Sequence, residues 1–139
     1  MKFIAARLLI TDAAKSIHFW KDIMGFKLTF GDADMGYAYF ETGTTGSTGI
    51  ELFARDNFAK AIGETTPAPT PTGRQFVLDF QVDDARATYA QLIERGAVSV
   101  HPPTDRADWG NVCTAHIADP DGNIIEIYNQ IAQPDASNA

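Results

Sequence analysis

The chain has 139 residues, a formal net charge of -7 and 45% hydrophobic residues. That length and composition suit one domain, or two small modules sharing a core. The acidic balance argues against nucleic acid, whose phosphates repel such a surface, and the absence of an 18-residue apolar run argues against a membrane-spanning helix.

The start, Met1-Lys2-Phe3-Ile4, enters a strand-like run at once. It leaves no room for a signal peptide, so a cytoplasmic protein is expected. Half one then runs as strand (Lys2 to Thr11), helix (Asp12 to Met24), Gly25 and three strands: Lys27 to Phe30, Gly36 to Glu41 and Gly49 to Ala54. Asp12 is an N-cap candidate, because its carboxylate accepts orphan backbone N–H groups. Ala13, Ile17, Trp20 and Met24 form the expected apolar stripe, and Gly25 sits where a left-handed cap is expected.

Gly63 to Gly73 (GETTPAPTPTG) reads as an extended linker, because proline removes donors and fixes its own backbone. Half two repeats the order: strand (Gln75 to Asp83), helix (Asp84 to Arg95), Gly96, then strands Ala97 to His101, Val112 to Ala118 and Ile124 to Asn129. Asp84 is its N-cap, and Ala85, Tyr89, Leu92 and Ile93 form its stripe. Asp119-Pro120-Asp121-Gly122-Asn123 is a tight turn between the last two strands. The expected division is residues 1–56 for the first module, 57–74 for the linker, 75–131 for the second module and 132–139 for a frayed tail. The single Cys113 cannot form an intrachain disulfide and reads as a small buried apolar residue.

Two strings close the halves in the same way, Gly49-Ile50-Glu51-Leu52-Phe53 and Ile124-Ile125-Glu126-Ile127-Tyr128. Side chains alternate along a strand. Glu51 and Phe53 therefore share one face, and Glu126 and Tyr128 share the matching face of the other half. One acid per half aimed at the same kind of place is the pattern of a pseudo-twofold cavity. The repeat predicts an α+β fold of two tandem βαβββ modules.

Ile10-Thr11-Asp12, Phe19-Trp20 and Met24-Gly25-Phe26 in half one, with Trp109-Gly110 and the run Asp119-Pro120-Asp121-Gly122-Asn123-Ile124-Ile125-Glu126 in half two, carry a resemblance. Over about residues 2 to 130 the chain resembles the vicinal oxygen chelate superfamily of glyoxalases, bleomycin-resistance proteins and extradiol dioxygenases. The resemblance implies a mixed sheet curled around a cavity, and a homodimer. It also implies metal-ligand positions at Ala5, Glu51, Val77 and Glu126. Ala5 and Val77 cannot ligate, and a transition-metal site needs three or four donors. No cofactor is therefore expected, although two carboxylates can hold a divalent metal weakly. The metal-free members that the chain then resembles are the bleomycin-resistance proteins, which sequester drugs without chemistry.

Phase places Arg7 and Asp79 at repeat-equivalent positions facing the cavity, where they either pair with each other or bind ligand. Counting outward from the Asp119 to Asn123 turn puts His116 opposite Glu126. A carboxylate beside His116 fixes its tautomer and suits ligand contact or proton transfer. Tyr37, Tyr39, Phe53 and Tyr128 share the cavity face, and Trp109 is a gate, a stacking partner or a loop anchor. His101 is a marginal pocket candidate, and His18 has no assigned role.

The expected function is metal-free binding of a planar or cationic antibiotic-like small molecule, in keeping with the negative charge. The alternatives are a lyase or isomerase whose catalytic residues are His116, Glu126 and Glu51, and a structural or regulatory module. Partners are a small-molecule ligand and a second copy of the chain, with no nucleic acid and no membrane.

Overall fold

A computed structural model describes residues 4–43, 48–65 and 76–132. The chain divides into two compact units, Met1–Gly73 and Arg74–Ala139. The expected tail over residues 133–139 and most of the Pro/Thr-rich segment lie outside the described residues.

The first unit contains β1 (Ala5–Ile10), α1 (Ala13–His18) running into a π-helical turn (Phe19–Ile23), β2 (Lys27–Asp32), β3 (Tyr37–Glu41), β4 (Gly49–Ala54) and α2 (Arg55–Ala61). The second contains β5 (Val77–Gln81), α3 (Ala85–Glu94), β6 (Val98–Arg106), a short 3-10 turn (Ala107–Trp109), β7 (Val112–Ala118) and β8 (Ile124–Gln130). Each unit holds one four-stranded mixed sheet. The strand orders are β1-β4-β3-β2 and β5-β8-β7-β6, the same order repeated. In each, the first and last strands of the βαβββ run lie parallel, and the other neighbours are antiparallel.

Burial follows strand alternation. Leu8, Ile10, Ala38, Phe40, Ile50 and Leu52 fill the core of the first unit. Ala115, Ile117, Ile125 and Ile127 fill that of the second, with Leu92 from α3. Burying each such aliphatic side chain stabilises by about 1.5–3 kcal/mol before entropy is charged against it. The residues between them lie on the opposite sheet face, where the candidate site residues stand.

The Asp12 and Asp84 caps form, each carboxylate accepting a backbone N–H, from Lys15 and Ala87, at 3.0 Å. Gly25 and Gly96 take the left-handed conformation that ends each helix, with φ of 78° and 103°.

Four expectations are corrected. Residues 57–61, read as the start of the linker, belong to α2, which has no side-chain cap to announce it. Its evident anchors are tertiary: Phe58 packs edge-on against Phe53 at 5.6 Å, and Ala59 is buried. The buried stripe of the first helix is Ser16, Phe19, Trp20 and Ile23, while Ala13, Ile17 and Met24 are only half-buried. A small residue at Ser16 allows close helix approach, a demand that a search for large apolar residues passes over. β6 runs through Pro102 and Pro103 to Arg106 and does not stop at His101. It is an edge strand with two register shifts, and an edge tolerates a residue that cannot donate to the ladder. Finally, the strands form two separately hydrogen-bonded sheets, one per unit.

Candidate functional site

Strand register builds one polar row per unit, on the face away from the buried aliphatics. In the first unit Arg7 lies opposite Glu51, Glu51 opposite Tyr39, and Tyr39 opposite Phe30. In the second unit Asp79 lies opposite Glu126, Glu126 opposite His116, and His116 opposite His101. Directly opposite residues share a sheet face. The two rows therefore occupy equivalent places in the two repeats, with a glutamate second in each.

The first row is a charge pair set among rings. The Arg7 guanidinium donates through Nε to Glu51 Oε2 at 2.5 Å. Within its own unit Arg7 therefore has Glu51 as its partner, from the adjacent parallel strand. Two side chains in direct register on neighbouring strands meet at little entropic cost, and the sequence alone left that adjacency open. Arg7 also stands over the Phe53 ring, 5.4 Å from its centroid. Its hydrogen bond to Glu51 raises the guanidinium pKa further.

Tyr37 and Phe53 are opposite each other and meet edge-on at 5.6 Å. Phe30 packs on Tyr37 at 6.0 Å and is 59% exposed, which leaves an aromatic surface open to solvent. Burial pushes the Tyr37 phenol up, and the charge of Glu51 and a hydrogen bond to it add to the shift. Tyr39 lies across Gly49: a Cβ there would collide with the Tyr39 ring and the Phe40 carbonyl.

The second row is acid and imidazole. His116 Nε2 lies 2.6 Å from Glu126 Oε2, and the two side chains are 15% and 19% exposed. His101 meets the His116 ring at 6.1 Å, with planes at 74°. Its Nδ1 is 3.0 Å from the Pro102 carbonyl oxygen, to which it donates. Burial raises the Asp79 carboxyl above its usual range, the Glu126 charge adds to this, and His116 offsets part of it. Tyr128 stands one pleat further along, opposite Thr114 and Gln81.

Trp109 lies on the 3-10 turn, 56% exposed, with the Arg106 guanidinium 4.9 Å from its ring. His18 pairs with Asp22 on the helix surface at 2.8 Å. Cys113 is buried, and burial pushes its thiol up, which leaves it a poor nucleophile at neutral pH. A cleft of about 330 Å³ in the second unit is lined by Arg86, Asp105, Cys113 and Asn129 among others, with the N-cap Asp84 at its wall.

The residue that sequence reasoning undervalued is His101. An unbroken count along β6 would set Val100 opposite His116, and the bulge between Ser99 and His101 brings His101 there instead. Pro102-Pro103 also ended the expected strand too early.

The metal positions implied by the resemblance do not fit a metal. Ala5 and Val77 offer no donor, Glu51 is committed to Arg7, and Glu126 to His116. Among the described residues no group of three or more His, Cys, Asp or Glu side chains is arranged to hold an ion.

A family model described as the Glyoxalase/Bleomycin resistance protein/Dioxygenase superfamily matches residues 2–127. The chain belongs to this superfamily. It is 37% identical to the uncharacterized protein YraH of Bacillus subtilis (strain 168) over 132 residues, covering 94% of this chain and 100% of that one. Among solved structures it resembles a glyoxalase/bleomycin resistance protein/dioxygenase from Nocardioides, with a TM-score of 0.78, 20% identity, and 96% and 86% of the two chains covered. A family enzyme from Burkholderia phytofirmans PsJN also has a TM-score of 0.78, with 18% identity and 94% and 100% covered. These structures share the fold. No helix in the described residues is long and apolar enough to cross a membrane.

Proposed function

We propose that this superfamily member binds a planar small molecule against its polar sheet faces, without a metal. The observation that carries the reading is the first row, where aromatic rings flank a pre-paired Arg7–Glu51 centre and one of them, Phe30, remains exposed. Aromatic walls with a few fixed polar groups are what small-molecule sites are made of. The acids of the second row, Asp79 and Glu126, favour a cationic nitrogen there, in line with the net charge of -7. The antibiotic-like ligand class, a cytoplasmic location and a homodimer complete this reading, and the superfamily resemblance implies the ligand class and the dimer.

Titration calorimetry with a planar cation such as proflavine, and with neutral planar probes, tests it. Binding at micromolar to low-millimolar concentration is the expected outcome, with that of the neutral probes weakened by Phe53→Ala. No heat from any planar probe would end the binding reading. A monomeric mass by sedimentation at micromolar protein would end the dimer part.

The second reading is a lyase or isomerase, and one observation favours it: His116 and Glu126 in direct contact, mostly shielded from solvent. An imidazole oriented by a carboxylate is a competent general base. It would exchange the α-proton of a hydroxy-carbonyl compound, with Glu126 holding the imidazole in place. Deuterium incorporation followed by NMR, lost in His116→Gln, tests this reading.

A further inference from the structure

The two repeats differ at one informative place. Where the second unit has the acid Asp79, the first has Arg7. Arg7 is held from two sides: Glu51 accepts from its Nε, and the Phe53 ring lies 5.4 Å from its guanidinium carbon. A guanidinium carries five N–H donors, and one of them meets Glu51 here. The side chain is still 44% exposed, against 13% for Glu51. The pair therefore presents its cationic member outward and its anionic member inward.

Fixing a guanidinium in advance lowers the entropy lost when it binds a planar oxyanion. A bidentate carboxylate is the group whose geometry its donors match. Rings lead away from it across the sheet: Phe53 lies under the guanidinium, Tyr37 meets Phe53 at 5.6 Å, and Phe30 on the far edge strand meets Tyr37 at 6.0 Å. Burial and the nearby Glu51 charge keep the Tyr37 phenol protonated, so it remains a donor. A cation has no free carboxylate in this row, because Glu51 is already paired.

We propose that the first unit carries an aromatic-carboxylate subsite in which Arg7, anchored by Glu51, takes the carboxylate while Phe53 and Tyr37 contact the ring. This rests on the reading of the chain as a binder of planar small molecules and adds the sign of the ligand's charge. The net charge of -7 works against anions at long range, so affinity should rise as salt screens that field.

Three isosteric probes test the subsite by calorimetry and amide NMR: 1-naphthoate, 1-naphthylmethanol and 1-naphthylmethylammonium. Naphthoate should bind about tenfold or more tighter than the other two, the range of one charge-assisted hydrogen-bonded pair. It should shift amides of β1, β3 and β4. The double variant Arg7→Gln/Glu51→Gln, which leaves no orphan charge, should bind naphthoate and naphthylmethanol with similar affinity. Arg7→Lys should lose part of it. If all three probes bind alike, or the double variant keeps the naphthoate preference, the subsite is refuted and the planar-ligand reading stands. If none binds, both fail. If the same amides shift with protein concentration alone, a second copy covers this face and the subsite is refuted.

Discussion

His116 and Glu126 face each other across the β7–β8 ladder with Nε2 and Oε2 2.6 Å apart. The hairpin that sets this register is closed by Asp119, whose Oδ1 accepts from the backbone of Asp121 and Asn123 and whose Oδ2 accepts from the Asn123 side chain. A turn so fully bonded allows no slip, and a slip of one residue would send every Ile of the hairpin outward. Glu126→Gln keeps the shape and removes the charge. It should leave the fold intact, change the His116 ring nitrogen shifts and weaken binding or turnover at the second row. A double-mutant cycle with His116→Ala should give a coupling of roughly 1–2 kcal/mol. A coupling near zero would show that the contact is incidental.

Asp79 supplies a pH test. Its carboxyl is raised in the folded chain, with burial the first cause and the Glu126 charge the second. A raised acid penalises the folded state once it ionises. The penalty is absent below the ordinary carboxylate value of ~3.9, where both states are protonated, and grows as pH climbs through the raised value. Asp79→Asn should therefore be more stable than the parent at neutral pH, with the gain vanishing near pH 3. Denaturation curves across that range check it, and a gain independent of pH would refute the cause.

Gly49→Ala should destabilise by roughly 1–3 kcal/mol, because the new Cβ meets the Tyr39 ring and the Phe40 carbonyl oxygen. The backbone oxygen cannot swing away as a side chain can. Urea unfolding measures the loss. Tyr39→Ala in the same chain should remove the ring clash but rescue stability only in part, because the Phe40 carbonyl oxygen stays in place.

Metal removal should change nothing. Purified protein should carry well under one equivalent of Zn, Ni or Fe, and dialysis against a chelator should leave its thermal midpoint where it was. Two of the four positions implied by the resemblance have no donor atom, and the two glutamates are already committed. About one equivalent of transition metal per chain by elemental analysis would overturn this and redirect attention to His116 and His101.

Alternation and turn chemistry alone determined the repeat. The period of two in Ile124-Ile125-Glu126-Ile127-Tyr128, the caps at Asp12 and Asp84 and the glycines at 25 and 96 are local devices, and each appears where the sequence puts it. The His116–Glu126 contact was legible for the same reason, since a tight turn makes cross-strand partners countable over a short stretch. Contacts that depend on which distant strands become neighbours were beyond that reach. Arg7 meets Glu51 because β1 lies beside β4, a parallel pairing across 44 residues that no local pattern encodes. His101 meets His116 because edge strand β6 carries its bulges through two prolines. α2 has no cap, and Phe58 packing on Phe53 supplies its anchor instead. The sequence carries periods and turns. Tertiary structure chooses neighbours, and the charge pair at the centre of the first row is a property of neighbours.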